Sequence, residues 1–333
     1  MAFVRRQEGL RVAHNLSVDW PSFLAGRALP AVMGIVNVTP DSFSDGGRFL
    51  SPDAAVDHAM RLADEGADLL DVGGESTRPP AYGLAEPVDA SEEIHRVLPV
   101  IERLASAVSL PISVDTRKAV VARAALHAGA SIVNDVTALG DDPEMADVVA
   151  GAGAAVILMH MRGTDPRTMQ DDLSDGDILG EIAESLSAAA SRAIFAGVPA
   201  PRIAIDPGLG FGKAAEQNLL LVARLSTLRT LGFPVILGAS RKGFVARYSG
   251  IPTETPPAER LAGSLACVEA ARQQGAAVVR VHDVGATVRF LRALQSGEDG
   301  SAAASAAGAL SEAYARMRDA VRRYASVGLE SPP

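Results

Sequence analysis

Residues 111–136 read PISVDTRKAVVARAALHAGASIVNDV, and this stretch decides the fold class. A short β-rich run, Pro111–Asp115, opens it, and a second, Ser131–Val136, closes it. Between them, Lys118–His127 places apolar residues at three- and four-residue spacing, which predicts an amphipathic helix. Gly129 follows, where a left-handed helix end favours a residue without a Cβ. Both runs are nearly continuous in apolar residues, as strands covered on two faces must be. Each ends on polar groups: Asp115 in the first, Asn134 and Asp135 in the second.

The same unit repeats outward in both directions. Further strand candidates are Ala31–Val38, Asp68–Gly73, Ala154–His160, Arg202–Asp206, Pro234–Gly238 and Ala277–His282. Helical spacing recurs over Ala54–Glu65, Glu92–Ala107, Glu144–Ala150, Ile178–Phe195, Gln217–Leu231 and Arg260–Gln274. Eight strands alternating with helices predict either a closed parallel barrel or a doubly wound sheet. The strand ends favour the barrel. Asn37, Asp71, Asp115, Asn134 with Asp135, His160, Asp206, Ser240 to Lys242, and Arg280 with His282 occupy them in order. In a barrel all of these converge on one mouth, whereas an open sheet needs them only near its switch point. The expected fold class is therefore α/β, a (β/α)8 TIM barrel over residues 31–294. A short N-terminal extension, residues 1–30, is expected to include a strand or hairpin. Residues 295–333 are expected to form a flexible linker, around SGEDGSAAASAAGA, and then a helix over Leu310–Tyr324. In that helix Leu310, Tyr314, Met317 and Val321 share one face.

Composition narrows the function classes. The chain has 333 residues, 48% hydrophobic and 21% charged, an ordinary globular balance. A net charge of −9 without a basic block argues against a nucleic-acid partner. An anionic substrate must then be held by local positive groups. The single cysteine, Cys267, excludes an internal disulfide framework and reads as a buried apolar residue. The opening MAFVRRQEGLRVAHNLSVDW lacks the apolar core of a secretory signal, and no apolar run of about 20 residues exists to cross a membrane. A cytoplasmic protein without a membrane partner is expected.

The strand-end loops carry the chemistry. The first, Asn37-Val-Thr-Pro-Asp-Ser-Phe-Ser-Asp-Gly-Gly47, offers Asn37, Asp41 and Asp45 as oxygen ligands for a hydrated Mg2+. The alternative is a turn with Asx-type hydrogen bonds. In the second, Asp71-Val-Gly-Gly-Glu-Ser-Thr-Arg-Pro-Pro80, Thr77 and Arg78 can donate to an anion. Asp115, Asn134, Asp135 and Asp206 would bring carboxylates and an amide to one mouth, where burial is costly unless donors meet them; strand-end capping is the alternative for any one of them. Lys242, Arg280 and His282 form a positive cluster in an acidic chain, with Arg280 and His282 on the same side of their strand. His160 reads as a hydrogen-bonded core histidine. The sequence shows no zinc spacing, nucleophile elbow or P-loop.

Taken together, NVTPDSFSDGG, GGESTRP, SVDT, VND, DPGLGFGK, GASRKGF and RVHD resemble the dihydropteroate synthase family, one motif per strand end. The resemblance spans about Ala31 to Arg292. The two loop motifs are highly specific; SVDT alone is weak. The resemblance implies a (β/α)8 barrel, usually a homodimer. It implies a transferase that joins 6-hydroxymethyl-7,8-dihydropterin pyrophosphate to 4-aminobenzoate, with Mg2+ as cofactor and sulfonamides as inhibitors. Asp115, Asn134, Asp206, Lys242 and Arg280 resemble the pterin-binding set. Asn37, Thr77, Arg78, Arg280 and His282 resemble the pyrophosphate site, with Asn37 linked to the metal. Phe43, Pro79, Phe211, Lys242 and Gly243 resemble the 4-aminobenzoate pocket. The catalytic set implied is Asp45, Lys242, Arg280 and His282, with Asp45 facing the developing cation. Gly243 departs from the Ser or Arg that many members carry there. A pterin-dependent methyltransferase of similar fold would lack both loop motifs and the positive cluster. A non-catalytic pterin-binding protein would have no need of a leaving-group site.

Overall fold

The computed structural model describes residues 18–39, 51–76, 88–163, 169, 173 and 176–326. A short helix, α1 (Trp20–Leu24), precedes β1 (Ala31–Asn37), α2 (Pro52–Asp64), β2 (Leu69–Gly73), α3 (Ala90–Ala107) and β3 (Ile112–Asp115). There follow α4 (Ala119–Ala128), β4 (Ile132–Asp135), α5 (Met145–Ala152), β5 (Ala155–Met159), α6 (Ile178–Phe195) and β6 (Ile203–Asp206). The chain ends with α7 (Ala215–Ala223), β7 (Ile236–Leu237), α8 (Gly243–Ser249), α9 (Leu261–Gln273), β8 (Val278–Val281), α10 (Val284–Gln295), α11 (Gly300–Ala306) and α12 (Ser311–Ser326).

All eight strands are parallel, in the order β6-β5-β4-β3-β2-β1-β8-β7. A parallel bridge between Ile205 and Val235, with Ile205 N donating to Pro234 O at 3.0 Å, joins the two ends and closes the barrel. The helices start where the sequence supplies caps. Ser51, Asp89 and Asp177 accept from backbone N–H groups three residues on, and Gly129 ends α4 at φ 116°.

Side chains alternate across each strand, so the barrel interior fills in layers from alternate strands. Leu69, Ile132, Ala204 and Val278 form one such layer from β2, β4, β6 and β8; all belong to the inner apolar cluster. Met33, Ile157 and Ile236 belong to it from β1, β5 and β7. Below them α1 plugs the barrel floor. Trp20 is fully buried there, its Nε1 donating to Arg202 O at 3.2 Å and its ring meeting Phe23 edge-on at 6.0 Å. The outward residues, such as Val114, Val133 and Leu158, pack beneath the helices in a second, larger cluster.

Residues 1–17, most of the extension in which a strand or hairpin is expected, lie outside the described residues. The described part of the extension holds a helix: Asp19 caps it, accepting from Ser22 N, and Pro21 fits its first turn. One expectation changes at the other end. The expected linker contains α11. Its Ala- and Ser-rich composition imitates a flexible segment, but alanine has the best helix propensity, Asp299 caps the start, and Ala303 and Ala304 are buried. Gly300 is required because Tyr314 Oη would lie 2.1 Å from any Cβ. Tyr314, Met317 and Val321 of α12 are buried, whereas Leu310 lies before the helix and is exposed. Tyr314 Oη donates to Glu269 Oε2 at 2.5 Å, tying the tail to α9. The stretch 217–231 divides into α7 and a 3-10 segment from Leu225 to Leu231.

Candidate active site

The layer directly above Leu69, Ile132, Ala204 and Val278 comes from the same four strands, two residues on. It is Asp71, Asn134, Asp206 and Arg280, so an interior that is apolar apart from the buried Ser113 of β3 ends on a ring of charged and amide groups. Asp115, at the end of β3, joins them. Arg280 Nε donates to Asp71 Oδ2 at 2.6 Å, and its Nη2 donates to Asp115 Oδ2 at 2.7 Å. Asn134 Nδ2 donates to the same Asp71 oxygen at 3.1 Å. Burial raises the Asp115 carboxyl to about 7; Arg280 opposes this and Asp71 adds to it. The paired carboxylates in turn hold the Arg280 guanidinium firmly charged against the cost of its burial.

Asp206 faces this group from β6. Its Oδ1 accepts from Gly208 N at 2.7 Å, in a turn that demands glycine: Gly208 has φ 66°, and a Cβ there would lie 1.9 Å from His160 O. Burial raises the Asp206 carboxyl, while the Gly208 N–H and Lys242 pull it back. Lys242 donates to Leu209 O, and its Nζ lies 4.9 Å from the centroid of the Phe211 ring. Burial lowers its ammonium to about 8, against the support of Asp206. The glycine-rich loop after β6 therefore brings Phe211, Lys242 and Asp206 to one wall. Beneath it, buried Lys213 donates to the carbonyls of Phe211 at 2.9 Å and His160 at 3.2 Å.

At the end of β8, His282 N donates to Ser240 Oγ at 3.2 Å, and its Nδ1 lies 3.1 Å from the same oxygen. Gly243 is the first residue of α8, directly after Lys242. Asn37 ends β1, half-buried on the opposite side of β8 from Ser240. Asp41, Phe43, Asp45, Thr77, Arg78 and Pro79 lie outside the described residues. The entry to the second loop is described. Arg96 Nη1 donates to Gly74 O at 2.9 Å, and Lys118 bridges Glu75 and the fully buried Glu93.

Three strand-end residues turn away from the mouth. Asp135 faces outward, accepting from Thr137 N, Thr137 Oγ1 and Leu139 N at 2.7–2.9 Å, so it caps the turn after β4. Arg241 makes a two-pronged pair with Asp283 at 2.6 and 3.0 Å, at φ 62°. Its charge is spent on structure rather than on an anion beside Lys242. His160 is buried 3.6 Å from Glu181, and burial, aided by Lys213, lowers its imidazole to about 3. It is neutral and packs in the core, but the expected hydrogen bonding is not seen: its Nδ1 is buried with no partner among the described residues. Asp71 is the residue that strand-end reading recognised as polar but did not assign to the site. The signal that finds it is its place two residues after Leu69, level with Asn134, Asp206 and Arg280.

A family model described as pterin binding enzyme matches residues 33–282. The dihydropteroate synthase of Synechocystis is 44% identical over 261 residues, 78% of this chain and 88% of that protein. That of Bacillus subtilis is 44% identical over 276 residues, 83% and 91% of the two chains. Among solved structures, Xanthomonas albilineans dihydropteroate synthase with 4-aminobenzoic acid is 48% identical and covers 81% of this chain and 93% of its own, with a TM-score of 0.73. Yersinia pestis dihydropteroate synthase in a sulfonamide drug complex is 42% identical, covers 81% and 95%, and has a TM-score of 0.74. With a barrel, a charged mouth and relatives of this closeness over most of its length, the chain belongs to the dihydropteroate synthase family of pterin-binding enzymes.

Proposed function

We propose that this chain condenses 6-hydroxymethyl-7,8-dihydropterin pyrophosphate with 4-aminobenzoate, giving 7,8-dihydropteroate and pyrophosphate. One observation carries the reading. A barrel interior that is apolar apart from Ser113 ends on a polar ring in which Asp115, Asn134 and Asp206 supply acceptors and the half-buried Arg280 and Lys242 supply positive charge. A pterin ring matches that ring: its amino group and ring N–H donate to the carboxylates, and its carbonyl and ring nitrogens accept from Lys242. The planar guanidinium of Arg280 offers a face for stacking.

In the reaction the bond between the pterin methylene and the pyrophosphate oxygen breaks, and the oxygen keeps the electron pair. The amine nitrogen of 4-aminobenzoate forms the new bond to the methylene and loses one proton, which passes to water or to the departing pyrophosphate. Arg280 and His282, with Thr77 and Arg78 from the second loop, stabilise the charge growing on the leaving group. The resemblance gives Asp45 of the first loop the role of stabilising the cationic methylene. An aromatic amine is neutral near pH 7, so no strong general base is required. Phe211, Phe43, Pro79, Lys242 and Gly243 form the 4-aminobenzoate pocket. Sulfonamides compete there, in keeping with the drug complex of the Yersinia relative.

Asn37 suits Mg2+: its amide oxygen is a hard ligand at the mouth, and this ion takes few protein ligands beside water and phosphate oxygens. When bound, the ion supplies further positive charge to the pyrophosphate. No helix among the described residues is long and apolar enough to cross a membrane. We place the protein in the cytoplasm as a homodimer, to be checked by fractionation and sedimentation. The decisive test is release of pyrophosphate that requires both substrates. Release that 4-aminobenzoate does not accelerate, or none at all, would refute the reading; a methyltransferase or a simple pterin binder gives none.

A further inference from the structure

We propose that Asp71 is a positioning residue that aims Arg280 and Asn134 at the pterin simultaneously; the inference rests on the site reading above. Its carboxylate is fully buried, and a single oxygen, Oδ2, accepts from both partners, Arg280 Nε at 2.6 Å and Asn134 Nδ2 at 3.1 Å. A carboxylate accepts and cannot donate, so the Asn134 amide must turn its NH2 toward Asp71. Its carbonyl oxygen then faces the other way, toward the mouth. Asp71 thereby decides that Asn134 reads a donor on the ring edge rather than an acceptor. Without that carboxylate the amide has no reason to prefer either orientation.

The same oxygen fixes Arg280. Asp71 takes the Nε edge of the guanidinium and Asp115 takes Nη2. Two carboxylates on different edges of a rigid plane leave it one orientation. Stability does not account for Asp71. Its second oxygen, Oδ1, is buried with no hydrogen-bond partner among the described residues. An unsatisfied buried acceptor costs stability, and Asp115 alone would still neutralise Arg280. A group retained at such a cost within the polar ring is retained for what it orients.

Two variants test this, Asp71→Asn and the exchange Asp71→Asn with Asn134→Asp. Thermal melting, calorimetry with 6-hydroxymethylpterin, and steady-state turnover are read for each. Asp71→Asn should melt no lower than the wild type, yet bind the pterin about tenfold more weakly and lose at least as much in kcat. In the exchange variant the carboxylate at position 134 offers the ring an acceptor again. Pterin affinity should return to within about threefold of the wild type, while kcat stays low because Arg280 Nε then meets a neutral amide oxygen in place of a carboxylate. This split between binding and turnover is not what a merely structural role produces. A folded Asp71→Asn with wild-type affinity and kcat overturns the proposal. So does an exchange variant that binds no better than the single variant, or a large fall in melting temperature with parallel losses in both. A wild-type protein without turnover refutes the functional reading instead, and pterin calorimetry on the two variants still decides the orientation of Asn134.

Discussion

Leu69, Ile132, Ala204 and Val278 point into the barrel two residues before Asp71, Asn134, Asp206 and Arg280, on the same four strands. The lower layer, closed off by Trp20, contains only apolar side chains, so it stabilises by burial and close packing. The upper layer holds carboxylates, an amide and a half-buried guanidinium, and one of their buried atoms, Asp71 Oδ1, finds no partner among the described residues. One step along each strand pair thus separates the part of the barrel that holds it together from the part that costs stability. Function is confined to the costly end, as expected where strand ends carry the chemistry.

The sharpest way to break the contrast is at the floor. Trp20→Ala should lower unfolding free energy by about 3–5 kcal/mol, while kcat per folded molecule stays unchanged. Urea denaturation and assays at low temperature read the two quantities separately. A loss of kcat in protein that remains folded would show that floor and mouth are coupled.

At the mouth, Arg280→Ala should reduce kcat by about a hundred- to a thousandfold, since it removes the charge that meets the leaving group. Turnover near the wild-type level would exclude Arg280 from that role and leave it as a structural partner of Asp71 and Asp115.

Lys213 tests the border between the two regimes. Burial lowers its ammonium to about 7, with Lys242 opposing the charge and Asp206 supporting it, while the unfolded chain keeps the ordinary 10.5. Between those values the unfolded state holds one proton more than the folded state, so this group makes stability rise with pH. Below about 7 both states are protonated and its contribution is flat. Lys213→Met should therefore show a shallower rise in unfolding free energy between about pH 7 and pH 10. Equal slopes in the two proteins would mean that Lys213 titrates as if exposed.

The smallest effect is expected at Gly243, which has no side chain to offer the carboxylate of 4-aminobenzoate in the pocket proposed above. Gly243→Ser should lower KM for 4-aminobenzoate by about two- to tenfold, the worth of one neutral hydrogen bond, with kcat little changed. The same variant should tighten sulfonamides. An unchanged or higher KM would show that backbone and water already satisfy the carboxylate.

Position at the strand ends was legible without coordinates, and it placed Asp115, Asn134, Asp206 and Arg280 at one mouth. Composition misled at Gly300–Ala306, where alanines that resemble a linker bury themselves as a helix. Position at a strand end also said too much for Asp135 and Arg241. Asp135 sits one residue out of phase with Asn134 and caps a turn; Arg241 finds Asp283, 42 residues on.

By itself the sequence determined the alternation of strands and helices, the closed parallel barrel and the polar character of its mouth. These follow from local periodicity and from the need to cover both faces of a parallel sheet. Only the tertiary structure decided who meets whom across that mouth. Asp71 and Arg280 lie 209 residues apart, and Asp115 and Arg280 lie 165 apart, so no local pattern encodes their pairing. Barrel closure sets them side by side. The one-way chemistry of a carboxylate then fixes which way Arg280 and Asn134 point.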